Sequence, residues 1–288
     1  MYATLASIFS YALNHNAMLI DSHCHLDATE FDADRDAVAK TAQKTGVKMM
    51  VIPAVHRNNF TQVIDLANNQ ENCCFALGIH PMYVDSAQPS DLVELKRLIT
   101  AQIAKPDHKI VAVGEIGLDF FVTQENRETQ EYFFAEQLKV AQAFDLPVIL
   151  HARKAVDDVL KHLRRHKVRG GIAHAFNGSA QQAKVFIDLG FKLGFGGAMT
   201  YTRALHLRDL AKNLPLDCLV LETDSPDIPP EWLDTKARNS PNELLKIAQV
   251  LADLRGIELA QIIEITGKNV MQVLPKISDL CTPLKVLH

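Results

Sequence analysis

No stretch of this 288-residue chain is long and apolar enough to cross a bilayer, which sets aside channels and transporters built from helices. Cationic charge is not in excess either. The 30 Lys and Arg stand against 34 Asp and Glu, a formal net charge of −4, so the overall balance does not suit a protein that coats nucleic acid or an anionic membrane. A polyanionic substrate would have to be gripped locally. Cysteine is sparse and unpatterned: Cys24, Cys73, Cys74, Cys218 and Cys281 are odd in number and share no spacing, which excludes a disulfide framework and matches a reduced, cytoplasmic setting. The first residues lack the basic start and small-residue cleavage site of a secretory signal. Repeats, low-complexity tracts and linkers are also missing. The simplest division is an N-terminal extension over 1–18, with Met18 as an alternative translation start, followed by one domain over 19–288 expected to act as a monomer.

What is present is an ordinary globular composition, 48% hydrophobic and 22% charged, in a length typical of one α/β barrel or two smaller domains. Short β-rich runs alternate with segments of helical period. The strands are expected at 19–22, 48–55, 73–79, 110–114, 147–150, 171–173, 192–195 and 218–221, about eight in all. Helices are expected between them at 34–45, 58–69, 90–104, 125–144, 155–166, 179–189 and 202–213, with two more at 241–254 and 258–273. Ser90 and Ser179 stand at cap positions, and Gly46, Gly170 and Gly190 mark helix exits. Strands fed by helices must be parallel with right-handed crossovers, and the even beat over about 200 residues favours the closed TIM (β/α)8 barrel over an open doubly wound sheet.

Polar side chains that can bind metal end several of the apolar runs. His23 and His25 flank Cys24; on extended backbone, residues two apart face one side about 7 Å apart at Cα, so the two imidazoles can close on one ion while Cys24 faces away. Glu115 lies between two glycines in Gly114-Glu115-Ile116-Gly117-Leu118-Asp119, and its two oxygens can bridge a pair of ions. His151 and His174 end consecutive strands and can hold a second ion together, while Asp224 can bind the first and take a proton from an attacking water. Glu222 is a candidate for orienting a ligand. Arg153, Lys154 and Arg203 follow strand exits and can form a small phosphate-binding patch. His108, His162, His166 and His206 read as solvated.

These residues resemble the TatD-type metal-dependent deoxyribonucleases of the amidohydrolase superfamily, and the chain is similar to their YjjV-like bacterial subgroup. The matching stretches are Ile20 to Asp27, Ala76 to Pro81, Val113 to Asp119, Pro147 to Arg153, His174 to Ser179, Leu221 to Pro226 and Arg238 to Pro241. The resemblance covers Leu19 to Leu274. It implies a TIM barrel with two divalent metals (Zn, Mn, Mg or Co), one held by His23, His25 and Asp224, the other by His151 and His174, and both by Glu115. It also implies that His80 positions a phosphate or the attacking water, and that the substrates are DNA or RNA ends trimmed 3′ to 5′. Phe120-Phe121 depart from the family, where a tyrosine commonly follows Leu-Asp, as does Gly267-Lys268-Asn269 in place of a more usual Thr-rich turn. Related barrels hydrolyse amides and lactones with similar ligands, so a small-molecule amidohydrolase, deaminase or lactonase is the alternative, and a noncatalytic metal-binding scaffold a third.

Overall fold

A computed structural model of the chain describes residues 18–121 and 126–281. The extension expected over 1–18 lies outside them except for Met18, as do residue 125 of the fourth expected helix and the last seven residues of the expected domain. Eight strands pair in parallel in chain order: β1 (Leu19–Asp21), β2 (Val47–Pro53), β3 (Cys73–Leu77), β4 (Ile110–Asp119), β5 (Val148–Arg153), β6 (Gly171–Ala173), β7 (Phe191–Phe195) and β8 (Leu219–Leu221). Ser22 N–H donates to the Leu221 carbonyl at 3.0 Å, joining the β1 exit to β8 and bringing the sheet round on itself. This is the TIM barrel that the alternation predicts.

Seven helices fill the crossovers: α1 (Arg35–Lys44), α2 (Phe60–Asn69), α3 (Pro89–Ile103), α4 (Arg127–Ala143), α5 (Val156–Arg165), α6 (Ala180–Asp188) and α7 (Leu205–Asn213). Three more follow β8, namely α8 (Leu244–Arg255), α9 (Leu259–Val273) and α10 (Lys276–Cys281). Alternate strand residues pack outward against the helices, as Met50, Ile52, Phe75 and Leu77 do with Val63 and Leu95. The others point inward. Ile20, Val51, Cys74, Val111, Ile149 and Val220 fill the barrel, where Val270 and Val273 of α9 and Ile277 of α10 join them. Each such side chain withdraws apolar surface worth about 1.5–3 kcal/mol from water. One end of the barrel is thereby an apolar floor, and the polar strand exits gather at the other.

Two local expectations need correction. The cap of α3 is not Ser90: Pro89 is the first helical residue, where its missing N–H costs nothing, and Asp91 Oδ2 accepts the Gln88 N–H at 2.9 Å. Ser179 does cap α6, exchanging bonds with Gln182 at 3.1 and 2.8 Å. The larger correction concerns β4, which does not stop at Gly114 but runs to Asp119. Its pairing with β5 slips between Val113 and Ile116, then resumes with Gly117 opposite His151 and Asp119 opposite Arg153. Gly117 makes the close approach possible, since a Cβ there would lie 1.9 Å from the His151 carbonyl oxygen.

Candidate metal centre

At the β1 exit the imidazoles of His23 and His25 turn the same way, with their Nε2 atoms 3.1 Å apart. Glu115 Oε2 lies 3.2 Å from the first and 3.5 Å from the second, and Asp224 Oδ1 lies 3.5 and 3.7 Å from them. A cation bound tetrahedrally at about 2.0–2.2 Å would hold its donors about 3.3–3.6 Å apart, so this donor set fits a divalent ion. Packing offers no other reason for two imidazole nitrogens and two carboxylate oxygens to converge on one point. Cys24 does face away, into the core between sheet and helices, and burial holds its thiol well above the ordinary range.

Glu115 emerges from the slipped part of β4, pinned by its own N–H to the Ala54 carbonyl at 3.0 Å. Its second oxygen serves a different group: Oε1 lies 3.0 Å from His151 Nδ1 and 3.4 Å from His80 Nε2. Burial works to raise the Glu115 pKa, but His80 and His23 beside it hold the carboxyl well below the usual range. The two histidines on Oε1 are not equivalent. His80 Nδ1 accepts the Met82 N–H at 3.1 Å, so a neutral ring carries its proton on Nε2 and donates toward Glu115. Burial, the largest effect, keeps His80 below its ordinary pKa, which favours the neutral ring. His151 is set the other way. In the neutral ring, Asp119 Oδ2 accepts the Nε2–H at 3.0 Å, which leaves the Nδ1 lone pair aimed at the Glu115 side.

His174 lies with the first group. Its ring stacks on His23 with centroids 3.6 Å apart, its Nε2 is 3.5 Å from Asp224 Oδ1, and His23, Glu115 and His174 present donors within 4.8 Å of one another. The same spacing joins His80, Glu115 and His151, whereas His151 and His174 do not fall in one such group; their ring centroids are 6.5 Å apart. Glu222 stands behind His174, with Oε1 3.0 Å from Nδ1, and accepts the Ala175 N–H at 2.6 Å. Against the effect of burial, Glu222 and Asp224 hold His174 well above its ordinary pKa, and Glu115 with Asp224 raises His25 to about 9.

Asp224 occupies left-handed backbone, φ 55°, which for a residue with a side chain costs about 1–3 kcal/mol. Buried Asp21 steadies it by accepting from Thr223 N at 3.0 Å and Thr223 Oγ1 at 2.6 Å, while Asn239 Nδ2 donates to the Thr223 carbonyl at 2.7 Å. Burial drives Asp21 up to about 7 despite those bonds. Asp119, Asp21 and Asn239 hold roles that residue type alone does not announce. A signal existed for Asp119, which repeats the period of two that runs from Glu115 through Gly117.

A cavity of about 1350 Å³ opens over the site, lined by His25, His80, Glu115, His151, His174 and Asp224. Arg153 and Lys154 stand at its mouth, but Arg203 is not among its lining residues. Of the histidines expected to be solvated, His162 is buried on α5 with its side chain 7% exposed, because Phe134 and Glu131 of α4 cover it.

The model of the family described as TatD related DNase matches residues 20–275. An uncharacterized metal-dependent hydrolase of Escherichia coli, YjjV, is 41% identical over 237 residues, 82% of this chain and 90% of that protein. Its crystal structure, a TatD homologue, superposes with a TM-score of 0.84 over 90% of this chain and 98% of that one, at 39% identity. Human deoxyribonuclease TATDN3 is 32% identical over 269 residues, 91% of this chain and 96% of that protein. The matched segment starts within β1 and runs past α9, so it contains every side chain of the converging site, and the chain belongs to the TatD family of metal-dependent hydrolases.

Proposed function

We propose that the chain is a nuclease that hydrolyses phosphodiester bonds at single-stranded DNA or RNA ends, working from the 3′ end. The observation that carries this reading is the division of Glu115, whose two oxygens each face a separate imidazole group, as a carboxylate shared by two ions requires. His23, His25 and Asp224 would hold the first ion with Glu115; the resemblance assigns the second to His151 and His174, although the structure groups His151 with His80 and Glu115 and seats His174 beside His23. When bound, a pair of divalent cations would polarise the attacking water and neutralise charge on the phosphate oxygens. Asp224, held at about 2 chiefly by His174 against the effect of burial, is ionised at every working pH and accepts the proton of the water, then returns it to the ester oxygen that leaves as the P–O bond breaks. His80, whose Nε2–H faces Glu115 Oε1 at 3.4 Å, would turn that donor to the water or a phosphate oxygen once Glu115 serves the ions, and Arg153 at the mouth binds a neighbouring phosphate. The family description and the name of the human relative support phosphodiester chemistry. The test is release of mononucleotides from single strands labelled at either end, with Mg, Mn, Co or Zn supplied. Release from the 3′ end, abolished by Glu115→Gln, is expected; silence with every ion beside turnover of an amide or lactone panel would replace this reading with the small-molecule one.

A further inference from the structure

Seven large apolar side chains are exposed among the described residues, and three of them, Met82 (54%), Tyr83 (42%) and Phe121 (57%), line the same cavity mouth. Single exposed apolar groups need no explanation, but three around one functional opening do. Phe121 is held in place from the site itself. Its N–H donates to Asp119 Oδ1 at 2.9 Å, and Asp119 Oδ2 meets His151 at 3.0 Å. Arg153, two residues beyond His151 on β5, lays its guanidinium 3.9 Å from the Phe121 ring centroid. Among the described residues no carboxylate lies within ion-pair distance of Arg153, and a guanidinium stacked by its face on a ring presents its N–H edge to an anion. Tyr83 stands on the other flank, 6.3 Å from the His80 ring, which is itself 4.3 Å from His151. Flat rings thus border the imidazoles that face Glu115. Asp27, Glu30, Asp157, Asp158 and Asp227 line the cavity as well, and among its described lining residues Arg153 and Lys154 are the only lysine or arginine to grip phosphates one by one.

From this arrangement we infer that the rim is a stacking platform for the bases of a single-stranded nucleic-acid end. Phe121 takes a base on the face turned away from Arg153, Arg153 holds the adjoining phosphate, and Tyr83 offers a second face. Recognition rests on base faces, which every sequence presents and a paired duplex hides. The inference deepens the nuclease reading and rests on it for its substrate class.

Binding can be read without turnover. Short single strands carrying 2-aminopurine at one of the two 3′-terminal positions are titrated into the Glu115→Gln protein and, separately, into wild-type protein held in chelator. Stacking quenches the probe. Phe121→Ala is expected to abolish the quench and weaken binding about tenfold, Phe121→Trp to restore both, and removal of the base at the stacked position to weaken binding to the parent by the same factor without further loss in Phe121→Ala. Absence of quenching in the parent, quenching unchanged in Phe121→Ala, or losses that simply add would overturn the platform. Quenching that depends on Phe121 in a protein that cleaves no strand would uphold the platform and sink the nuclease reading, so the two failures are distinct.

Discussion

Behind each of two imidazoles at the site stands a carboxylate, Asp119 behind His151 and Glu222 behind His174. Such partners fix which ring nitrogen is free, and losing one typically weakens cation affinity 10–100-fold. Asp119→Asn is therefore expected to bind Mn or Zn about tenfold or more weakly, with the thermal unfolding of the cation-free protein little changed; equal affinity in a metal titration would mean that Asp119 serves only to seat Phe121. Far from the site, His162 gives a second expectation. Burial, only partly offset by Glu131 at 3.6 Å, holds its folded-state pKa below 6.5. The unfolded chain then binds the proton more readily, so this residue costs nothing above about pH 6.5 and destabilises increasingly as the pH falls below it. His162→Leu should flatten that acid limb in urea melts between pH 7 and 5, and an unchanged slope would count against the assignment.

Among the elements, β4 and the β6–β8 wall show what the pattern of residues discloses and what it hides. Apolar runs and helix caps place eight strands and put His23, His25, Glu115, His151, His174 and Asp224 at their exits, because periodicity is a local property that needs no partner. The slip in β4 is not local. Gly114 to Asp119 reads as a loop, and becomes strand only because Gly117 lets the β5 backbone close on it. How the imidazoles group was hidden for the same reason, since it depends on how neighbouring strands align. Pro89 competed with Ser90 for one helix start, and the cover that α4 gives His162 is a tertiary effect. Gly194 of β7 tests the wall directly: a Cβ there would lie 2.2 Å from Glu222 Oε2. Gly194→Ala should push Glu222 off His174, costing about 1–3 kcal/mol in stability and weakening cation binding. As a control, Gly256→Ala, with φ 62° and open space around it, should cost about 1 kcal/mol and leave cation binding alone.

For the whole molecule, cation binding, proton binding and folding are linked. His25, raised to about 9, and His174, also raised, carry protons near pH 7 in the cation-free protein, and an ion that uses their nitrogens must expel them. Calorimetry in buffers of differing ionisation enthalpy should show net proton release at pH 7, with affinity rising as the pH climbs toward 9. Zero release would mean that the bound ion uses other donors. Without the ion, the His25 contribution to folding is complete below about pH 6.5 and lost as the pH rises through about 9, so chelated protein should gain most from added cation on the alkaline side.

The apolar floor built by α9 and α10 under the barrel has a kinetic corollary. With that end sealed by Val270, Val273 and Ile277, whatever enters the site and whatever leaves it share one doorway. Nothing can thread through the barrel, so on the proposed nuclease reading a freed nucleotide would compete with the next strand end for that one entrance.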